Sequence, residues 1–228
     1  LDDEERLRIN VFDWNVEFKG IMNAGGFDVV IGNPPYGSFF QNSTLDYLKR
    51  AYMTFVGRGE IYMLFCEKAL SIIKDCGLFG YIVPDTYLNL GFTKALRDLI
   101  INNSIINEIV RLPSKVFKSV SVDTTLLFAQ KRTKEFILKD HKVILKLFNK
   151  KSIIDSLNDP DTLLQVNWSD FSSTESFNIQ TTSIESSLIE KLEKNGRPLN
   201  EFVEMFSGIK VYEVGKGVPP QSNKIRDD

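Results

Sequence analysis

The apolar run Phe27-Asp28-Val29-Val30-Ile31 closes on Gly32-Asn33-Pro34-Pro35, and no other feature limits the fold as strongly. A short run this rich in β-branched residues reads as a buried strand. The two prolines then stop it. Each fixes φ and lacks an N–H, and a residue before proline is driven out of the helical region. The strand must therefore end in a stiff loop that offers carbonyl acceptors and few donors. The same grammar recurs along the chain. Residues 9–12 are a short apolar run ending at Asp13. Residues 45–55 and 61–73 read as helices, the second with Ile61, Leu64, Phe65, Ala69 and Ile72 at helical spacing. Residues 78–83 form a strand stopped by Pro84, 92–101 a helix, and 105–110 and 122–129 two further strands. Strands alternating with helices predict an open α/β sheet, mostly parallel. Such sheets bind ligands at the carboxyl ends of their strands. Asp13 and Asn33 each follow a strand directly, so both are expected on that rim.

After about residue 134 the pattern changes. Val143, Leu145 and Leu147 alternate with polar neighbours, as in a half-exposed strand. Residues 151–182 are rich in Ser, Thr, Asn and Asp and read as a loop-rich connection. A helix is expected again over 182–192, where Thr182-Ser183-Ile184-Glu185 is compatible with a cap. Three segments follow: 1–135, a connecting segment 136–181, and 182–228.

The 228 residues carry a net charge of −2, so the chain as a whole is not the basic type common among free-standing nucleic-acid binders. A local basic groove remains compatible with that number. No apolar run approaches the ~18–20 residues of a membrane span, and the first residues have no secretory pattern. A cytoplasmic location and no membrane partner are expected. Cys66, Cys76 and His141 are the only Cys and His residues, too few for a disulfide framework, and no metal site is expected.

Asn33-Pro34-Pro35-Tyr36 carries the chemistry. The exocyclic nitrogen of adenine is a poor nucleophile because its lone pair is delocalised into the ring. A side-chain oxygen and a main-chain oxygen, each accepting one of its N–H bonds, would favour a more tetrahedral nitrogen and free the pair to attack an electrophilic methyl. Tyr36 would stack on the base, and a base inside a duplex would have to be flipped out to reach it.

The stretch Phe27 to Tyr36 resembles the catalytic motif of the gamma-group N6-adenine DNA methyltransferases, especially Taq-type methylases and fused type IIG restriction–modification enzymes. Glu60-Ile61-Tyr62-Met63-Leu64-Phe65 with Glu67-Lys68-Ala69-Leu70, and Gly77 through Pro84, are similar to the two motifs that follow. Val116-Phe117, Val120 and 122–131 look like the last catalytic motif. The resemblance covers about the first 135 residues, with the motifs in order.

It implies an incomplete Rossmann-like α/β methyltransferase sheet with flanking helices, then a linker and the start of a DNA target-recognition domain over 182–228. Asn33 and the Pro34 carbonyl would accept from the target amine, within the rigid Pro34-Pro35 pair. Tyr36 and Phe117 would face the two sides of a flipped adenine in double-stranded DNA. Asp13 would bind the adenine of S-adenosylmethionine, with Trp14 packed beside it; the alternatives are a strand-end cap for Asp13 and plain core packing for Trp14 and Phe117. The family's glycine-rich cofactor loop belongs before Asp13, yet only twelve residues precede it and none forms Gly-x-Gly. The chain is therefore expected to be an internal fragment lacking the upstream part of its polypeptide, to bind the cofactor poorly, and to be inactive alone. Six basic residues between Arg111 and Lys134 (Arg111, Lys115, Lys118, Lys131, Arg132, Lys134) stand against one acid, Asp123, and could position phosphates. The alternatives are a methyltransferase acting on RNA adenine or protein glutamine, or a non-catalytic DNA-recognition subunit.

Overall fold

The computed structural model describes residues 12–38, 42–57, 59–114, 116, 122–133, 141–172, 176, 177, 179, 188, 191, 192 and 194–204. The chain divides into two compact units, Leu1–Ile179 and Gln180–Asp228.

The first unit runs α1 (Trp14–Glu17), α2 (Lys19–Asn23), β1 (Phe27–Gly32), α3 (Asn42–Ala51), α4 (Ile61–Ile72), β2 (Ile73–Pro84), α5 (Lys94–Asn103), β3 (Ser104–Arg111), β4 (Thr124–Lys131), β5 (Lys142–Leu147), β6 (Thr162–Asn167) and α6 (Trp168–Ser172). Its six strands form one sheet in the order β1-β2-β4-β3-β5-β6. The expected mostly parallel arrangement is corrected. Among the described residues β1 pairs with β2 and β3 with β5 in parallel, while β2–β4, β3–β4 and β5–β6 are antiparallel. Parallel neighbours need a crossover, usually a helix. Neither 112–123 nor 148–161 carries an apolar helical repeat, so the chain turns back at both places.

Segment 136–181 supplies two strands that extend the same sheet: β5, where the strand at 143–147 was expected, and β6, within the stretch expected to be loop-rich. Val143, Leu145 and Leu147 all point into the core, which is what their alternation encodes. The polar alternation of β6 fits an edge strand. α6 then returns Trp168 and Phe171 to the core.

The crossovers β1–α4–β2 and β2–α5–β3 advance across the sheet in one direction. Right-handed crossovers therefore put α4 and α5 on one face. That face is the main core: Tyr62, Met63, Cys66, Ala69 and Leu70 of α4, and Leu96, Leu99 and Ile100 of α5, against Phe79, Tyr81, Val83, Leu127 and Ile109. Each fully buried large side chain contributes about 1.5–3 kcal/mol. Among the described residues the other face is covered only in part, by Val110, Leu112 and Phe148. Towards β1 it is exposed: Val29 is 52%, Ile31 78%, Leu78 43% and Phe128 38% accessible. A Cβ on Gly80 would come within 2.9 Å of the Phe128 ring, so that ring lies across β2 on the side of Ile31.

β2 begins at Ile73, five residues before the expected start. Its pairing with β1 is interrupted between Phe27 and Val29, where Cys76 takes a φ of 60°. The turn after β2 is tied to α5 by buried Arg97, whose Nη1 donates to the carbonyls of Tyr87 (2.9 Å) and Leu90 (3.0 Å) and to Thr93 Oγ1 (2.7 Å). Among the described residues no helix is long and apolar enough to cross a membrane.

In the second unit, Leu188, Lys191 and Leu192 are helical, and a 3-10 turn spans Leu199–Glu201. Arg197 pairs with Glu201 at 2.7 Å and lies 4.5 Å above the Phe202 ring. Most of the stretch read as a target-recognition opening, from residue 205 onward, lies outside the described residues.

Candidate active site

The backbone of β1 runs straight on into Asn33-Pro34-Pro35-Tyr36. Asn33 and Pro35 are exposed, Pro34 is buried and Tyr36 is half-buried. The Tyr36 hydroxyl donates to the main-chain carbonyl of Ile82 on β2, at 3.2 Å, and its ring packs on the core. Burial raises its pKa above the ordinary tyrosine value, so the phenol remains a neutral donor at physiological pH. Gly37 follows with a φ of 96°, a conformation that suits glycine. Its carbonyl accepts from the Ile61 N–H at 2.9 Å, which starts α4 directly beside the tetrapeptide. The motif is thus held between the end of β2 and the beginning of α4, with Asn33 on the open side.

The layer beneath is polar but inert. Tyr62 is buried, with its hydroxyl 3.4 Å from Thr86 Oγ1. Burial pushes the Cys66 thiol up to about 12, so it is not a thiolate nucleophile. Among the described residues no cluster of His, Cys, Asp or Glu could hold a metal ion.

The structure does not bring all the expected site residues together. Asp13 caps α1, its Oδ1 accepting from the Asn15 N–H at 2.9 Å. Trp14 sits in an aromatic cluster, 5.0 Å from Phe12, 5.6 Å from Phe18 and 5.8 Å from Phe27. Phe27 opens β1 and Asn33 follows its end, roughly 20 Å away at ~3.3 Å per residue. The expectation that Asp13 and Asn33 share one rim is therefore corrected. Ring packing draws α1 towards the opening end of the strand. Phe117 lies outside the described residues.

The basic stretch is corrected as well. Lys131 Nζ donates to the Ile73 carbonyl at 2.7 Å and Arg132 Nη2 to the Asn102 carbonyl at 2.9 Å. Both stand at the end of β4 remote from Asn33, because β4 runs antiparallel to β2. Arg111, at the end of β3, remains on the Asn33 side of the sheet. Lys115, Lys118 and Lys134 lie outside the described residues.

Two carboxylates on this rim escaped the sequence reading. Asp85 directly follows β2, and Asp123 directly precedes β4. The Asp85 N–H donates to the Asp123 carbonyl at 3.0 Å. Desolvation, with the Asp123 charge next, raises the Asp85 pKa. Position was the only available signal: Pro84 ends one strand immediately before Asp85.

The sequence pattern of the Eco57I restriction-modification methylase family matches residues 1–117. A type II restriction enzyme and methyltransferase from Escherichia coli, RM.Eco57I, is 29% identical over 171 residues; the match covers 67% of this chain and 16% of that protein. The chain thus spans a small part of that relative's length. The type IIG restriction endonuclease BpuSI shares the fold with a TM-score of 0.51 at 16% identity, over 76% of this chain and 23% of that one. A type I restriction–modification structure gives a TM-score of 0.52 at 17% identity, over 76% and 44%.

Proposed function

The chain belongs to the Eco57I restriction-modification methylase family, and on that premise we propose that it is the catalytic part of a site-specific DNA methyltransferase acting on N6 of a flipped-out adenine. One observation carries this reading. Asn33-Pro34-Pro35-Tyr36 stands at the carboxyl end of β1 with Asn33 exposed and Tyr36 fixed to Ile82.

The chemistry follows from those groups. Asn33 Oδ1 and the Pro34 carbonyl each accept one N–H of the target amine. Two acceptors so placed favour the tetrahedral nitrogen and stabilise the positive charge that builds on it during transfer. Pro34 and Pro35 keep the acceptors from relaxing away, because their φ angles are locked. Tyr36 supports one face of the adenine and Phe117 the other. S-adenosylmethionine supplies an electrophilic methyl group. Asp13 and Trp14, the residues proposed to hold it, do not stand beside Asn33 in this structure. They would reach the cofactor only if α1 left the opening end of β1, as strands added along the free edge of β1 would require. The upstream part of the polypeptide would bring those strands together with the glycine-rich loop.

In this reading residues 1–135 belong to the catalytic domain and 182–228 open the target-recognition domain. The enzyme works in the cytoplasm on double-stranded DNA, within a restriction–modification system. The test offers DNA, RNA and protein acceptors to the enzyme carrying this chain. Methylation of duplex DNA at N6 of adenine is expected. Transfer to RNA or to glutamine, with none to DNA, would contradict it.

A further inference from the structure

The turn between β2 and α5 stands on the Asn33 side of the sheet, and its tip is open to solvent. Tyr87, Leu88 and Thr93 are buried, whereas Asn89 and Gly91 are exposed and Leu90 is 40% exposed. A Cβ on Gly91 would meet nothing within 4 Å. The tip is firmly held all the same. The Leu90 N–H donates to the Thr86 carbonyl at 3.1 Å. The Leu90 carbonyl accepts from the Thr93 N–H at 3.2 Å, from Thr93 Oγ1 at 2.8 Å and from Arg97 Nη1 at 3.0 Å. Arg97 is itself buried, so a guanidinium taken out of water secures the turn.

Hydrogen bonds also join this turn to the catalytic motif. Tyr36 donates to Ile82, near the end of β2. Gly37 accepts from Ile61 at the start of α4. The next residue, Tyr62, places its hydroxyl 3.4 Å from Thr86 Oγ1, and Thr86 is the residue whose carbonyl anchors Leu90. The tip therefore keeps a fixed position relative to Asn33 and Tyr36.

We propose that Leu90 is a wedge: on duplex DNA its side chain enters the base stack and fills the space left by the flipped adenine. The wedge rests on the reading above, in which the target base leaves the helix to reach Asn33 and Tyr36. Residues 86–93 carry no charged side chain, so the tip offers a phosphate no cation. An apolar side chain on such a tip fits unstacked base faces instead. Flipping costs the energy of a base pair and its stacking. A leucine that exchanges water for base faces offsets part of that cost. Anchoring adds to the effect, because a side chain on an ordered turn loses less freedom on insertion.

The test uses the methyltransferase carrying this chain, with Leu90→Ala, Leu90→Gln and Leu90→Met. Each acts on one duplex with the target adenine paired to thymine and on another with an abasic site opposite the target. The readouts are the single-turnover rate, KM for cofactor, and base extrusion followed with 2-aminopurine at the target position. On the paired duplex Leu90→Ala is expected to lower both extrusion and rate by about ten- to fiftyfold, the scale of burying the carbons that the substitution removes. Opposite the abasic site the loss should be under about threefold, because no base pair has to be broken. A merely structural role would give the same loss on both duplexes. Leu90→Met keeps an apolar side chain of similar volume and should stay within about threefold of wild type. KM for cofactor should not move. A silent Leu90→Ala, or an equal loss on the two duplexes, would overturn the assignment. If Leu90→Ala does not fold, Leu90→Gln applies the same criterion. Failure of the underlying reading shows separately, as a wild-type enzyme that transfers no methyl to adenine in either duplex, and it removes this inference too.

Discussion

The hydroxyl of Tyr36 donates to the carbonyl of Ile82 across 3.2 Å, pinning the last residue of the Asn-Pro-Pro-Tyr motif to the neighbouring strand. The ring therefore sits at a fixed height over the end of β2, and any base stacked on it inherits that height. Tyr36→Ala removes the stacking platform, a loss of about 1–3 kcal/mol per base. It should raise KM for DNA by about ten- to a hundredfold. Tyr36→Phe keeps the platform and frees its edge, and should cost about threefold or less. Steady-state methylation of a duplex oligonucleotide separates the two.

Arg97 and Tyr87 make opposite stability predictions although both are buried. The Arg97 guanidinium serves two carbonyls and a hydroxyl. Arg97→Leu removes a charged donor from both carbonyls, which keep only the Thr93 hydroxyl and, at Leu90, the Thr93 N–H, and should cost about 1–3 kcal/mol. The Tyr87 hydroxyl is buried against the Thr125 hydroxyl, and neither makes a well-formed hydrogen bond. Tyr87→Phe should therefore be neutral or stabilising, by at most about 1 kcal/mol. Denaturant unfolding of the two variants checks both signs.

The Asp85–Asp123 pair gives a pH signature. Hydrogen bonds from Ser114 and Lys150 hold Asp123 below the ordinary aspartate value, so its contribution is present above that value and is lost as pH falls through the lowered one. Desolvation and the Asp123 charge hold Asp85 above it, which reverses the sign. The Asp85 contribution is full below the ordinary value and is lost as pH rises through the raised one. At pH 7 Asp85→Asn should raise the unfolding midpoint and Asp123→Asn should lower it. The Asp85→Asn gain should vanish once the medium is acidic enough to protonate Asp85 in both states. Thermal unfolding as a function of pH measures this.

The bare side of the sheet predicts the behaviour of the isolated chain. Val29, Ile31, Leu78 and Phe128 form an apolar patch beside edge strand β1. Exposed patches of this kind bind hydrophobic dyes and self-associate. Ile31→Thr with Phe128→Thr should reduce both effects without lowering the unfolding midpoint much, since neither side chain is in the core. Dye fluorescence and light scattering check it.

The sequence made the first half of the sheet legible, because each strand of the covered face ends in a punctuating residue: Gly32 before Asn33-Pro34, and Pro84 after Val83. The direction of β4 was not legible. Val122 to Ala129 reads as a strand in either direction, and only its pairing with β2 and β3 shows that it turns back. β6 was hidden for another reason. Thr162, Gln165 and Asn167 give an edge strand the composition of a loop. At the site, Asn33 to Tyr36 were visible because proline constrains its neighbours locally. Asp123 was visible only as the lone acid of a basic stretch, because its partners Ser114 and Lys150 are brought to it by the fold from beyond other strands. Asp13 stayed open between two roles because an acid after an apolar run looks the same whether it lines a ligand rim or acts as a cap, and the structure shows the cap.

The most direct measurement is single-turnover methyl transfer to a duplex oligonucleotide by the enzyme carrying this chain, with Asn33 intact and with Asn33→Ala. Labelled N6-methyladenine is expected with wild type, and a rate about a hundredfold or more lower with Asn33→Ala, the scale for loss of one transition-state hydrogen-bonding group. Binding of the same DNA should be unchanged. Equal rates for the two proteins would contradict the assignment of Asn33 as the acceptor that activates the target amine.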